Sequence, residues 1–311
     1  MKRGDFLSDR PKLLLVDGMA LLFRAFYATA PTGQFMMNDK GMPTNGVQGF
    51  LRHLLLAIQL RKPTHVAVCW DMGKKTFRHR LFEGYKANRA APPIEMVPQF
   101  DLAKKMTSAF AIPNVGLAGF EADDCIGTLA KAAQKNADVS IVTGDRDLLQ
   151  LLDSHIGVHI LQKGFGNYRS YTDRSFAERF GVTPAQFIDV KALMGDASDG
   201  YPGVRGIGEK TAFKLIHEFG SMDTLLEHLE LLPNGQKKKI STDLEMLRLS
   251  RNLAEIRCNA PISLDPDLAR YHGVPASFVS QLDENGMKLV KYDLVRMKWA
   301  KLPDAFGEHS G

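Results

Sequence analysis

Lys12–Ala28 reads KLLLVDGMALLFRAFYA: an aliphatic run of strand character, Lys12–Val16, stops at Asp17-Gly18 and passes directly into a helix-like stretch, Met19–Ala28. The same pattern recurs twice. His65–Trp70 (HVAVCW) ends at Asp71, and Asp138–Val142 (DVSIV) ends at Thr143-Gly144-Asp145. Segments of helical pattern, Val47–Leu60, Val97–Phe110 and Asp123–Lys135, lie between and after them. Strands alternating with helices mark βαβ units, so the chain is predicted to be α/β with a mostly parallel sheet.

In open α/β sheets ligands sit beyond the carboxyl ends of the strands, and here three strands finish in aspartate. The expectation is an acidic crevice along that edge. Any one of these aspartates is explained as a turn former. Three of them together with AGFEADD at Ala118–Asp124 and VTGDRD at Val142–Asp147 are not. Helix N-capping and the macrodipole account for one or two of Glu121, Asp123 and Asp124 at about 0.3–1 kcal/mol each, whereas a third acid adds repulsion. Unit charges ~5 Å apart repel by about 3 kcal/mol at an effective dielectric of 20, and bound cations remove that cost. The candidate ligands are therefore Asp17, Asp71, Glu121, Asp123, Asp124, Asp145 and Asp147. An oxygen-only set without Cys or His suits Mg²⁺ rather than zinc. Two such ions ~4 Å apart supply the charge clamp and activated water that phosphodiester hydrolysis needs.

Between Asp71 and Pro98 the basic residues Lys74, Lys75, Arg78, Arg80, Lys86 and Arg89 interleave with Phe77, Phe82 and Tyr85. A charge run alone is usually a solvated face. Directly after a crevice aspartate, with aromatic faces on which bases stack, it is expected to wall a nucleic-acid strand.

From about residue 183 the chain turns helical, and a second, smaller domain is expected over 183–311 after a core of 1–182. GDASDGYPGVRGIGEKTA (Gly195–Ala212) places Asp196 and Asp199 three apart, on one face if helical and able to extend the acidic set. Gly203, Gly206 and Gly208 lead into Glu209-Lys210-Thr211, a helix-hairpin-helix signature whose backbone N–H groups hold a phosphate. A P-loop is disfavoured, because Glu209 intrudes before the lysine and no strand precedes. Leu231–Ile240 (LLPNGQKKKI) is expected as a basic loop and the last ten residues as frayed. His155 and His159 are expected to be ordinary structural residues.

The length of 311 residues and 44% hydrophobic content fit a globular chain, and a net charge of +5 suits a polyanionic partner. The three cysteines, Cys69, Cys125 and Cys258, are far apart, odd in number and in no CxxC pair, so neither a disulfide framework nor a zinc site is indicated, and a reducing cytoplasm fits. Asp17 interrupts the apolar run after the basic start, against a signal peptide, and no stretch reaches the ~18 apolar residues of a membrane span.

The strings LLLVDGMALLFRAFYA, GMPTNGVQGF, FRHRLFEGYKANR, GFEADD, VTGDRDLLQL and GDASDGYPGVRGIGEKTA, in this order, closely resemble the 5′-nuclease family, which includes the exonuclease domain of bacterial DNA polymerase I, phage 5′-exonucleases and flap endonucleases. The resemblance runs from about residue 12 to 290. It implies a PIN-like core, a helical arch near 72–98 and a helical helix-hairpin-helix domain. With no polymerase region following, it implies a stand-alone bacterial 5′→3′ exonuclease. A first metal group would comprise Asp17, Asp71, Glu121, Asp123 and Asp124, with Asp145, Asp147, Asp196 and Asp199 making or supporting a second. Lys86 and Arg89 match arch residues that steer the scissile phosphate, and Tyr85 matches an aromatic there. Arg24, Phe26 and Tyr27 correspond to a segment near the unpaired terminus. Arg78, Arg80, Gly203, Gly206, Gly208, Lys210 and Thr211 complete the expected nucleic-acid contacts.

The implied activity is that of a Mg²⁺-dependent 5′→3′ exonuclease and flap endonuclease removing 5′ flaps and RNA primers in replication and repair. Mn²⁺ would substitute, and K⁺ would sit at the hairpin. The partners are DNA with 5′ flaps, nicks or ends and RNA–DNA primer junctions, met by a monomer in the bacterial cytoplasm, at the nucleoid. One departure is GDASDGYPGV where relatives often read SDNIPGV, and Gly200-Tyr201 is expected to loosen that turn. The alternatives are a PIN-type ribonuclease, which usually lacks the hairpin glycines, and a non-catalytic binder of branched DNA, which would not need an intact acidic set.

Overall fold

A computed structural model describes residues 10–30, 33, 35–73 and 75–296. Lys74 and the last ten residues, and with them the expected fraying, lie outside the described residues. Six strands, β1 (Lys12–Asp17), β2 (His65–Cys69), β3 (Asn114–Val115), β4 (Asp138–Thr143), β5 (Ile156–Leu161) and β6 (Tyr168–Tyr171), form one sheet in the order β3-β2-β1-β4-β5-β6. All neighbours are parallel except β6, which returns antiparallel on β5.

Parallel neighbours need crossovers, and helices supply them. α1 (Gly18–Thr29) and α2 (Asn45–Arg61) link β1 to β2, α3 (Phe77–Leu81) and α4 (Val97–Ala109) lead to β3, and α5 (Ala122–Ala133) leads to β4. Strand side chains alternate, so the tripeptide Leu14-Leu15-Val16 feeds both faces. Leu13, Leu15, Ala67, Cys69 and Ile141 pack in one core, and Leu14, Val16, Val66, Val68 and Val142 in the other.

The first core is closed by α5 and by α6 (Asp173–Phe180), α7 (Phe187–Met194) and α8 (Glu209–Phe219), followed by α9 (Met222–Glu227), α10 (Asn234–Thr242) and α11 (Leu244–Ala254). The chain then crosses over. After α12 (Pro266–Ala269), α13 (Ala276–Glu284) and α14 (Lys288–Arg296) put Phe278, Leu282, Met287, Val290 and Leu294 into the second core, beside α2 and α4. Phe278 stacks on Phe110 at 4.6 Å between ring centres, and Arg52 Nε meets Asp293 Oδ2 at 2.6 Å. The helical region expected from residue 183 therefore divides between the two faces of the sheet, because its last apolar side chains match the α2–α4 groove.

Two local expectations are corrected. Among the described residues of 72–98, helix is confined to α3 and the first two residues of α4, and residues 82–96 run as turns and irregular backbone, with Pro92-Pro93 barring a continuous helix. Leu231–Ile240 is not a loop: α10 begins after Pro233, and the fully buried Ile240 pins it down. Among the described residues no helix is long and apolar enough to cross a membrane.

Candidate metal centre and nucleic-acid interface

Strand register brings the acids together. Asp17 closes β1 level with Cys69 of β2, so Asp71 follows two residues beyond it, and Val142 pairs with Val16, so Asp145 emerges on the other side. Gly18 starts α1 against the Trp70 ring, where a Cβ would stand 2.7 Å from ring carbons. Only glycine permits that approach. Asp17 accepts the Ala20 N–H at 2.9 Å and the Thr143 hydroxyl at 2.7 Å. The Thr143 oxygen accepts the Asp145 N–H (2.9 Å), and Asp145 Oδ1 accepts the Asp147 N–H (2.8 Å). Asp71 accepts the Ala122 N–H at 2.7 Å, tying the end of β2 to the start of α5. The result is a cavity of about 620 Å³ lined by Asp17, Asp71, Glu121, Asp123, Asp145, Asp147 and Asp196, with Arg24, Lys86, Arg89 and Lys191 at its walls.

Asp124 is not part of this lining. Successive helical residues are rotated by about 100°, so where Asp123 faces the cavity Asp124 turns inward. There it is 0% exposed, caps the Glu121 N–H (3.0 Å) and receives both Arg78 NH groups at 2.8 and 2.9 Å. Arg78 in turn is 2% exposed and donates to the Leu253 and Glu255 carbonyls, so it is a strut rather than a nucleic-acid contact. Tyr85 is likewise buried, its hydroxyl 3.0 Å from both Glu121 Oε2 and Asp199 Oδ2. It joins two carboxylates from underneath instead of facing a base.

Burial dominates the electrostatics. It pushes Asp17 up to about 7, against hydrogen bonds from Ala20 and Thr143 and with help from Asp71 and Asp145. Asp147 is pushed up to about 7 by burial and then Asp145. Asp71, Asp123 and Asp145 are raised for the same first reason. Asp196 goes the other way, down to about 2: burial works against ionisation, but the Lys191 ammonium and Ser198 outweigh it. Lys191 bridges Asp196 and Asp147, 2.7 Å from Asp147 Oδ1. Burial opposes its charge, yet those two carboxylates hold it above the ordinary lysine range. Lys86 Nζ stands 2.9 Å from Glu121 Oε1, and Arg89 Nη2 stands 2.6 Å from Asp199 Oδ1.

Among the described residues no group of three or more His, Cys, Asp or Glu side chains is arranged to hold a metal ion as it stands. Basic side chains occupy four of the acids: Lys86 pairs with Glu121, Arg89 with Asp199, and Lys191 with Asp147 and Asp196. The donor set itself is oxygen only, and at Asp17 and Asp147 burial and neighbouring carboxylates disfavour the charged form in the absence of a further cation. That fits a hard divalent cation once the ammonium groups give way. Lys191 was not foreseen from sequence; its one signal is a lysine among aliphatics in FIDVKALM, where a buried cation needs a partner.

Models of the 5′-3′ exonuclease N-terminal resolvase-like domain and of the 5′-3′ exonuclease C-terminal SAM fold match residues 12–181 and 182–276. The chain belongs to the 5′-3′ exonuclease family. It is 61% identical over 252 residues to the 5′-3′ exonuclease of Bacillus subtilis, covering 81% of this chain and 85% of that one. To DNA polymerase I of Bacillus caldotenax it is 43% identical over 267 residues, 85% of this chain but 30% of the polymerase. Among solved structures, T5 5′-exonuclease with divalent metal ions (zinc) bound shares the fold at a TM-score of 0.67 and 22% identity, covering 92% of this chain and 98% of that one.

In this 5′-3′ exonuclease, Arg24, Tyr27 and Arg80 are exposed, whereas Phe26 is 1% exposed and packs on Phe35, so it is core and not a contact. Gly203 is buried too: its N–H donates to Ser250 Oγ at 3.2 Å, and a Cβ there would meet Gly195 N at 2.3 Å. The hairpin proper is Gly206 and Gly208 with Lys210 at the exposed start of α8 and a half-buried Thr211 behind it. The Gly206 carbonyl accepts from Lys239 Nζ of α10 at 3.0 Å. The Gly200-Tyr201 turn is not loosened. Asp196 and Tyr201 exchange backbone hydrogen bonds (2.8 and 3.2 Å), and the segment 84–89 is clasped on it by Lys86 N–H to the Asp199 carbonyl (2.7 Å) and Asn88 to the Ala197 carbonyl (2.7 Å).

Proposed function

We propose that the chain is a Mg²⁺-dependent 5′→3′ exonuclease and flap endonuclease that hydrolyses phosphodiester bonds at 5′ ends, nicks and 5′ flaps of DNA and at RNA–DNA primer junctions. The observation that carries this reading is a single cavity in which Asp17, Asp71, Glu121, Asp123, Asp145, Asp147 and Asp196 converge below Lys86 and Arg89. Glu121, Asp71 and Asp123 would hold one divalent ion and Asp145, Asp147 and Asp196 a second, with Asp17 and Asp199 in support. Such ions supply charge neutralisation at phosphate and lower the pKa of water. Mn²⁺, an equally oxygen-seeking ion, serves in place of Mg²⁺.

The chain's own groups do the positioning. Lys86 and Arg89 exchange their carboxylate partners for phosphate oxygens and stabilise the charge that grows as water adds to phosphorus and the bond to the leaving oxygen breaks. Arg24 on the cavity wall and the exposed Tyr27 ring, stacked with Phe23 at 6.2 Å, suit the unpaired strand. Gly206, Gly208 and Lys210 grip a phosphate of the duplex, with Lys239 adding positive charge beside them. K⁺ at the hairpin would have to displace that lysine from the Gly206 carbonyl. The chain acts as a monomer in the cytoplasm.

The test is product mapping on a labelled 5′-flap duplex with and without Mg²⁺. Cleavage near the junction is expected only with the ion, and Asp145→Asn lowers the rate by about 100-fold or more while flap binding persists. Retained cleavage in chelator, or cleavage of single-stranded RNA alone, rejects the proposal.

A further inference from the structure

Tyr201 stands where the acidic turn Asp196–Asp199 meets the core. Its backbone pairs with Asp196 in both directions, and its ring, 1% exposed, packs among Tyr85, Leu253 and Ala254. The hydroxyl at the end of that ring has no hydrogen-bond partner. A buried hydroxyl without a partner bears the full cost of its lost hydration, so its retention needs a reason. Phenylalanine would fill the same space without that cost.

The surroundings of the hydroxyl give the reason. Burial first, and then the charges of Asp147, Asp196, Asp199 and Asp145, hold its proton above the ordinary phenol range. It is thus a donor without an acceptor, next to carboxylates whose oxygens are engaged elsewhere. Asp147 and Asp196 hold Lys191, and Asp199 holds Arg89 and Tyr85. Tyr85, the other fully buried ring in this small core, already donates to Glu121 and Asp199 as Tyr201 is placed to do for Asp147.

We propose that Tyr201 is a positioning residue whose hydroxyl donates to the Asp147 side of the acidic set when a divalent cation draws those carboxylates away from Lys191. Resting on the divalent-ion reading above, it gives the tyrosine a role in ion affinity that no contact in the ion-free molecule requires. Groups that hydrogen-bond a metal-ligating carboxylate orient it, and their loss typically costs about 10–100-fold in ion affinity.

The experiment is Tyr201→Phe in the full chain, free of DNA, read by calorimetric titration with Mn²⁺ and by thermal midpoint in chelator. The expected result is a Mn²⁺ dissociation constant weaker by about tenfold with a midpoint in chelator equal to or above that of the parent. Unchanged Mn²⁺ affinity overturns the proposal, as does a lowered midpoint in chelator, which would show that the hydroxyl is bonded in the ion-free protein. A parent chain that takes up no Mn²⁺ overturns the divalent-ion reading itself, a result distinct from equal binding by both chains.

Discussion

Asp147 carries two opposed demands, since burial holds its proton up to about pH 7 while Lys191 favours its charge. The unfolded chain releases that proton near 3.8, so between about pH 4 and pH 7 the folded protein binds more protons than the unfolded one. Stability without divalent ions therefore declines as pH rises through that interval and levels off above it. Buried His53 and His159, lowered to about 4, act in the opposite sense over much of the same range, so the parent profile alone is blunted. Comparing Asp147→Asn with the parent cancels them. In chelator the variant gains stability relative to the parent on going from pH 5 to pH 7.5, by about 2 kcal/mol, since each pKa unit is worth about 1.4 kcal/mol. Scanning calorimetry at matched pH checks this; a difference that ignores pH would remove burial as the cause. The seven lining carboxylates were legible because strand ends and helix starts are visible in a pattern of residue types. The inward turn of Asp124 was not, because it depends on Arg78, 46 positions earlier, arriving from α3.

The segment 82–96 shows what an element can hide. Its basic and aromatic residues announced a wall, and Lys86 and Arg89 do stand at the cavity, but the expected arch of helix is replaced by turns fastened to the 196–200 loop. Lys86 itself lies in the left-handed region at φ 55, a strain that the bond from its N–H to the Asp199 carbonyl offsets. Gly200, at φ 77, makes the clasp possible: a Cβ there would stand 2.7 Å from the Gly84 carbonyl oxygen. Gly200→Ala is expected to destabilise the fold by about 1–2 kcal/mol through backbone strain and to release the segment. Limited trypsin digestion reads the release as faster cutting at Lys86 and Arg89, and an unchanged cutting rate would show that the clasp has slack. Sequence could not disclose this contact, because two glycines 116 positions apart (84 and 200) have no side chains by which to advertise it.

At the scale of the molecule, the mostly parallel sheet was foreseeable from alternating strands and helices, while the return of α13 and α14 to the α2–α4 side was not. Amphipathic helices carry an apolar face but no address, and only the fit of Phe278 to Phe110 and of Asp293 to Arg52 chooses the layer. Both cores are built of apolar side chains. Removing divalent ions with a chelator should lower the thermal midpoint by no more than a few degrees while abolishing cleavage, unlike small domains whose folding energy comes from a structural metal. Unfolding by chelator would contradict this.

Lys86, Arg89 and Lys191 have one further effect. Because their ammonium and guanidinium groups sit among the acids, part of the negative charge gathered there is balanced by the chain's own side chains. The crowded acids thus carry their own counterweights, so neutralising one of these bases leaves a buried carboxylate without its counter-charge.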